Sequence, residues 1–407
     1  MSSRLKILVV TSSTCLVILF LFGTMMSKGA PAPAPDDSSS TPGVYRHIAV
    51  FTEVLTRIKS EYVEEPDMKN VTLGAMNGLL ESIDPYASYL NAEQYKEYLK
   101  NYDSYRGDLG LVLAKKYGYI TVVDAVPGSP AAKAGLTTGD MIETIKGVAT
   151  RDMPLAYASL LLRGQPGSTV EISVLQRRPD PHKLTLERAA IQYPAVEAKI
   201  VQDGLGYIRP DTLVNGKVKE VAGDIEDLQK KGAKKLVLDL RSCAVGAPEE
   251  GVALANLFMK SGEITYLQGQ KFPRQQFDAK PNDAVTQAPL VVITNRGTAS
   301  GCEVAAAALQ DSGRADVVGE HTFGDASVRR AVTMDDGSAI ILSVAKYYSP
   351  AGKSIQDDGV TPKTLVAEPE VASDMDDESD VPPAPETPKK PGDDPLLKKA
   401  VEMAAGK

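Results

Sequence analysis

The sequence predicts a multidomain α/β protein: a helical lead-in over residues 44–102, a small, mostly β domain over 103–190, and a layered α/β domain over 191–368. Three observations predict it. Between Val44 and Tyr98 apolar residues recur at intervals of three and four, as Ile48, Phe51, Val54, Leu55 and Ile58 do, which is the spacing of one face of a helix. Residues 103–190 carry strand-like runs (LGLVLA, YITVVDA, MIETIKG, TVEISVLQ) separated by turn signals. From Gly204 onward, apolar runs such as LGYIR, KLVLDLR and LVVIT alternate with helical patterns, the order expected of partly parallel strands joined through helices. With 407 residues, 43% hydrophobic and 24% charged, the chain can fill two or three ordinary domains, which excludes a disordered or fibrous protein.

The ends read differently. Residues 1–28 contain an uncharged apolar run, Ile7 to Met26, long enough to cross a bilayer core, with Arg4 and Lys6 before it. Its length, with Ala30 followed by Pro31, favours a single-pass membrane anchor with the body outside the cytosol, in the cell envelope; a cleaved signal would make the protein secreted. Residues 29–43, rich in Pro and Ser, form a semi-rigid linker. Residues 369–407 form an acidic, Pro-rich tail that closes with a short amphipathic helix, Leu396 to Met403, whose docking site the sequence does not give. Residues 367–395 hold ten acids and two bases, so the formal charge of −8 resides there and the rest balances at 43 of each sign. A neutral body lacks the clustered Lys and Arg that nucleic acid requires. Three cysteines and three scattered histidines (His47, His182, His321) offer no spacing for a metal, and nothing points to another cofactor.

In the lead-in, short amphipathic helices are expected to pack on a neighbouring domain. The order YVEEPDMKN, then GAMNGLLESIDPYASYLNAEQYKEY, then a glycine-bearing strand resembles the lead-in of the C-terminal processing peptidases, the tail-specific serine proteases of bacterial envelopes and chloroplasts. In the β domain, Ser129 is placed to cap a helix, Pro130 to occupy its first turn, Gly135 to end it and Gly139-Asp140 to turn into the next strand. That string, GSPAAKAGLTTGDMI, resembles a PDZ domain of the circularly permuted bacterial kind. The resemblance implies that amides around Leu109, Gly110 and Leu111 receive the terminal carboxylate of a polypeptide tail, which adds a strand beside residues 109–113. Leu155, Leu160 and Leu161 are then an apolar wall for the tail's last side chain, or plain core.

In the α/β domain the segment NRGTASGCEVAAAALQDSGRA, then VVGEHTFGDASVR, follows the strand at 290–294. A serine in such a strand-to-helix turn is usually a cap, but it also sits among free amides suited to an oxyanion. The segment resembles the SASASE and VVGExTFGKGxVQ motifs of the same peptidase family. With LDLR and the closing YYSPAGKSIQxDGVxP, the resemblance covers nearly all of residues 45–368, implying a PDZ domain followed by a peptidase-like α/β domain. It places the nucleophile at Ser300, with Gly246 and Gly301 at the oxyanion site. Three positions depart from the pattern. The base lysine is replaced by Asp325, the assisting glutamine by Arg329, and an oxyanion-loop glycine by Val245.

A serine hydroxyl needs a base, and lysine serves when burial keeps it neutral. An aspartate is a feeble acceptor for an alcohol proton, and its charge opposes a developing oxyanion. Arg329 is expected to pair with Asp325. Ser300, His321 and Asp325 have the residue types of a rebuilt triad, against the plainer reading of His321 as an exposed loop residue; Lys346 fits a structural strand. Cys243 and Cys302 fall on the loops that would flank the oxyanion site, either as a disulfide or as two buried thiols. Two functions therefore stand: a tail-specific serine peptidase with impaired hydrolysis, or a non-catalytic PDZ-containing binding protein. Oligomeric state is not legible.

Overall fold

The computed structural model describes residues 40–101, 105–116, 118–151, 153–176, 180–202, 204–214, 216–367 and 394–406. The apolar run at 7–26, most of the linker and nearly all of the acidic segment lie outside them. No helix among the described residues is long and apolar enough to cross a membrane. The chain falls into two compact units, one ending at Val71 and the other running from Thr72.

The first unit contains α1 (Ser40–Glu61); of the predicted stripe Ile48 and Val54 are exposed and Phe51, Leu55 and Ile58 only half-buried, where the periodicity predicts a packed face. An amphipathic pattern fixes the helix and its apolar side but does not supply the surface that side needs. The lead-in continues through α2 (Met68–Glu81), whose first turn belongs to the first unit, and then β1 (Ser88–Leu90) and α3 (Ala92–Asn101) in the second. The strand β1 is an addition to the helical pattern the sequence suggests, and three residues are too few to show a period of two.

The β domain is a six-stranded antiparallel sheet in the order β2 (Leu111–Lys116), β3 (Tyr119–Ala125), β4 (Met141–Ile145), β6 (Thr169–Leu175), β7 (His182–Glu187), with β5 (Val148–Ala149) paired to β4. β2 is its terminal strand. Two helices complete the domain. α4 (Pro130–Lys133) starts where Ser129 Oγ accepts the Ala132 amide at 3.2 Å, and Gly135 leaves it at φ +79°. α5 (Leu155–Leu162) has no side-chain cap of its own residues; instead Ser88 of β1 accepts the Ala156 amide at 3.1 Å. The lead-in thus meets an orphan donor of this helix end. Leu155 and Leu160 are buried, and Leu161 packs at the edge of the domain core.

The α/β body centres on a second six-stranded sheet, β17 (Thr364–Leu365), β14 (Ala315–Gly319), β13 (Leu290–Thr294), β10 (Lys235–Asp239), β9 (Leu205–Arg209), β8 (Glu197–Gln202). All pairs are parallel except the β8 edge. Parallel strands need cover on both faces. Leu236, Leu238, Leu290 and Val292 pack with α6 (Lys217–Lys230), α7 (Pro248–Asn256) and α8 (Gly301–Asp311), while Val237, Val291, Ile293 and Val318 face the other way. That second face is closed by α9 (Pro395–Ala405), through Leu396, Ala400 and Ala404. Both ends of α9 are fastened. Asp394 caps the Leu397 amide at 3.0 Å and pairs with Arg241 at 2.7 Å, and Lys235 Nζ donates to the Ala405 carbonyl at 3.0 Å, a cation at a helix C-terminus. Arg241, the arginine of LDLR, also grips the fully buried Asp239, so its place is in the scaffold.

A third, antiparallel sheet runs β1, β16 (Ala339–Tyr348), β11 (Glu263–Gly269), β12 (Phe272–Asp278), with β15 (Ser327–Thr333) on the other edge of β16. Ser88, Tyr89 and Leu90 pair with Ile341, Ile340 and Ala339, which places the residues around Tyr86 beside the body.

Candidate active site

Ser300 lies between β13 and α8 with φ +54° and ψ −123°, a backbone conformation that costs a non-glycine residue on the order of 1–3 kcal/mol and persists where its surroundings enforce it. Here Glu303 enforces it. Fully buried in the first turn of α8, Glu303 accepts the Ser300 amide at 3.1 Å and the Asp325 amide at 2.8 Å on one oxygen. Its other oxygen takes the Gly324 amide at 2.7 Å and a short bond from the Thr322 hydroxyl. Two amides on one oxygen lie within about 6 Å of each other, so the serine turn and the loop at 322–325 are held together. Burial pushes the Glu303 carboxyl up to about 8, against the pull of these donors.

The sequence motif contains this glutamate without revealing its work, since E three residues after a helix start reads only as a cap. A covalent tie runs parallel to it: Cys243 and Cys302 form a disulfide between the loop after β10 and the first turn of α8. Of the two readings open for these cysteines, the structure has the bond.

The serine hydroxyl donates to the carbonyl oxygen of Gly246 at 2.8 Å. In this contact Gly246 presents its carbonyl, an acceptor, to the serine, and its amide takes no part. The cause lies in the loop's packing. Leu213 donates its amide to the Val245 carbonyl at 2.6 Å, and a Cβ on Gly246, whose φ is +145°, would lie 2.6 Å from the Leu213 Cβ. Gly301 opens α8 and is closely packed: a Cβ there would lie 2.6 Å from the Ala247 carbonyl oxygen.

Asp325 stands next to the serine turn by virtue of its amide on Glu303, and its carboxylate is paired with Arg329 in a short contact. Burial pushes the Asp325 carboxyl above the usual range; Arg329 opposes this, and the neighbouring Asp84 and Asp357 add to it. The Arg329 guanidinium is in turn stacked 4.0 Å from the ring centre of Tyr86, which meets Phe323 edge-on at 6.4 Å. Tyr86 is a second residue the sequence did not single out. It is buried, and its hydroxyl has no hydrogen-bond partner among the described residues.

The rebuilt triad does not form. His321 is exposed and its Nδ1 bonds the neighbouring Thr322 carbonyl at 2.8 Å, while Asp325 is engaged by Arg329. Lys346 is bound to Asp357 at 2.6 Å; burial pulls its pKa down, but the hydrogen bond and charge of Asp357 outweigh it and hold the amine above its ordinary value, as an ammonium. Neither nitrogen is a base for Ser300.

The PDZ-like loop is also built. Gly110 adopts φ +76°, and a Cβ there would lie 2.3 Å from the Ser129 Cβ, so glycine is required. The Leu109 and Gly110 amides donate to Asp108 Oδ1 at 2.6 and 3.0 Å, and Leu111 opens β2. Among the described residues no group of His, Cys, Asp and Glu could hold a metal.

Residues 204–366 match peptidase family S41, and residues 121–176 match the PDZ domain. The carboxy-terminal-processing protease of Bartonella bacilliformis is 32% identical over 360 residues, covering 87% of this chain and 83% of that protein. The chain belongs to this family of carboxy-terminal-processing proteases. The carboxy-terminal processing protease CtpA of Bacillus subtilis is 30% identical over 381 residues, 91% of this chain and 79% of its own. Among solved structures, the photosystem II D1 C-terminal processing protease superposes with a TM-score of 0.64 at 29% identity, over 78% of this chain and 86% of that one. The S41 match spans β9 to β17 and therefore includes both the serine turn and the Asp325–Arg329 pair; the PDZ match spans β3 to β6.

Proposed function

We propose that this S41-family chain binds the C-terminal tails of polypeptides through its PDZ groove and has lost most or all of the hydrolysis its Ser300 position implies. The observation that carries the reading is the Asp325–Arg329 ion pair beside the serine turn, at the position where the family resemblance implies a lysine. Acyl transfer requires that the hydroxyl proton leave and that negative charge build on the carbonyl oxygen under attack. Here the hydroxyl is directed to a backbone carbonyl, which does not act as a base, and the position the resemblance gives to a lysine carries a carboxylate paired with Arg329. General-base catalysis contributes about 10²–10⁴-fold, so its loss alone removes most of the rate. The contrary reading, a slow peptidase, draws on the strained Ser300 backbone, which the fold still maintains.

A serine-reactive fluorophosphonate separates the two. The native chain and Ser300→Ala should both stay unlabelled and leave a tail-exposed peptide uncleaved, while Asp325→Lys should gain labelling. Ser300-dependent cleavage by the native chain would establish the peptidase reading instead.

The same reading sets the body outside the cytoplasmic membrane, held by the run at 7–26. The Cys243–Cys302 bond supports it, since disulfides persist in oxidising compartments. Alkaline extraction of membranes should leave the full chain in the pellet; its release would remove the anchor.

A further inference from the structure

A carboxylate already sits where the PDZ loop would take one. Asp108 Oδ1 accepts the amides of Leu109 and Gly110 at 2.6 and 3.0 Å, and Oδ2 accepts from Arg163 Nε at 3.2 Å. The backbone that carries it is pinned on both sides. Gly107 exchanges two hydrogen bonds with Gly164, and Asp108 exchanges two with Ala189, all between 2.9 and 3.0 Å. Gly110 is itself fixed against Ser129, with its carbonyl accepting the Val126 amide at 2.8 Å. The side chain is thus delivered to the amides by a rigid frame, yet about a third of it remains exposed, so solvent or a ligand can reach it.

We propose that Asp108 is an internal competitor for the tail carboxylate, a built-in occupant that sets which polypeptide ends the groove accepts. The inference rests on the tail-binding reading of the PDZ loop. An incoming terminal carboxylate needs the two amides that Asp108 holds, and each amide has one hydrogen to give. The ligand must therefore displace Asp108, and the displaced carboxylate stays within a few ångströms of the newcomer's charge, where like charges repel. Binding of free-carboxylate tails is weakened by both costs. A tail whose end carries no charge asks for neither amide, and the edge of β2 remains open to pair with its backbone. Arg163 has a part in this as a positioning residue, because it holds the second oxygen and so keeps Asp108 turned inward.

The test titrates the full chain with two fluorescent peptides that share an apolar last residue, one with a free carboxylate and one amidated. Native protein is compared with Asp108→Ala and Asp108→Asn, each checked by thermal melting. Asparagine keeps an acceptor for the turn while removing the charge, so it guards against a loop that collapses in the alanine variant. The expected result is a gain of tenfold or more in affinity for the free-carboxylate peptide in Asp108→Ala, a smaller gain in Asp108→Asn, and amide-peptide affinity unchanged within twofold. If the native chain already prefers the free carboxylate and neither variant gains affinity for it, the groove reading stands and the competitor is overturned. If no form of the protein distinguishes the two peptides, the groove reading itself falls and takes the competitor with it.

Discussion

The serine turn and the PDZ loop each hold an acidic side chain on backbone amides, in opposite circumstances. Glu303 is enclosed, takes three amides and a hydroxyl, and belongs to the frame. Asp108 is partly open, takes two amides and an arginine, and occupies a place that a ligand would use. The difference teaches that the same chemistry serves as architecture when every lone pair is committed and solvent is shut out, and as an exchangeable contact when one side stays wet. It also explains how the body keeps a nucleophile's backbone without its base: the fold pays attention to Glu303, and Asp325 contributes to that frame only its amide.

This contrast can be broken experimentally. Glu303→Ala should be the most damaging change, because it strands the buried Gly324 amide, two part-buried amides and the donor of the Thr322 hydroxyl at once; a loss of about 3–5 kcal/mol is expected in denaturant unfolding. A loss below about 1 kcal/mol would put the two acidic side chains in the same class. Gly110→Ala should cost less, about 2–4 kcal/mol, from a positive φ and a Cβ forced onto Ser129, and should abolish binding of either peptide.

The smallest effect concerns Asp124 on β3, whose Oδ2 is buried without a partner. Burial, opposed by the Ala125 amide and helped by Asp211, raises its carboxyl from 3.8 to about 7. A raised carboxyl favours the protonated folded form, so its contribution is complete below its unfolded value near 4 and is lost as pH climbs through about 7. Asp124→Asn should therefore gain about 1–3 kcal/mol over the native chain at pH 8 and little at pH 4, read from melting temperatures at the two pH values. Equal differences at both would show that the group does not titrate in this range.

What could be read from the sequence followed from local demands on the backbone. Ser129, Pro130, Gly135 and Gly139 each have one conformational duty, and the structure places them in it. The parallel strands were legible because burial on both faces leaves continuous apolar runs such as LVVIT. What stayed hidden depends on partners distant in sequence. Nothing near Leu396 names Val237 or Ile293 as the surface it covers, and the sequence left the Cys243–Cys302 bond as one of two readings. The role of Asp108 had a local signal, since an aspartate two residues before a glycine at a loop can accept that glycine's amide. The triad of Ser300, His321 and Asp325 failed for a reason composition cannot show: His321 faces its own neighbour's carbonyl.

The docking of α9 carries a consequence for how the molecule is made. The strand β13 ends at Thr294, and the helix that covers its far side begins at Pro395, about a hundred residues downstream. During synthesis the central sheet can assemble with α6, α7 and α8 while its other side still faces water, sticky with Val237, Val291 and Ile293. Closing so long a connection is entropically slow to initiate but only weakly sensitive to its length. The nascent body is thus a half-finished sandwich, exposed to aggregation until α9 has left the ribosome.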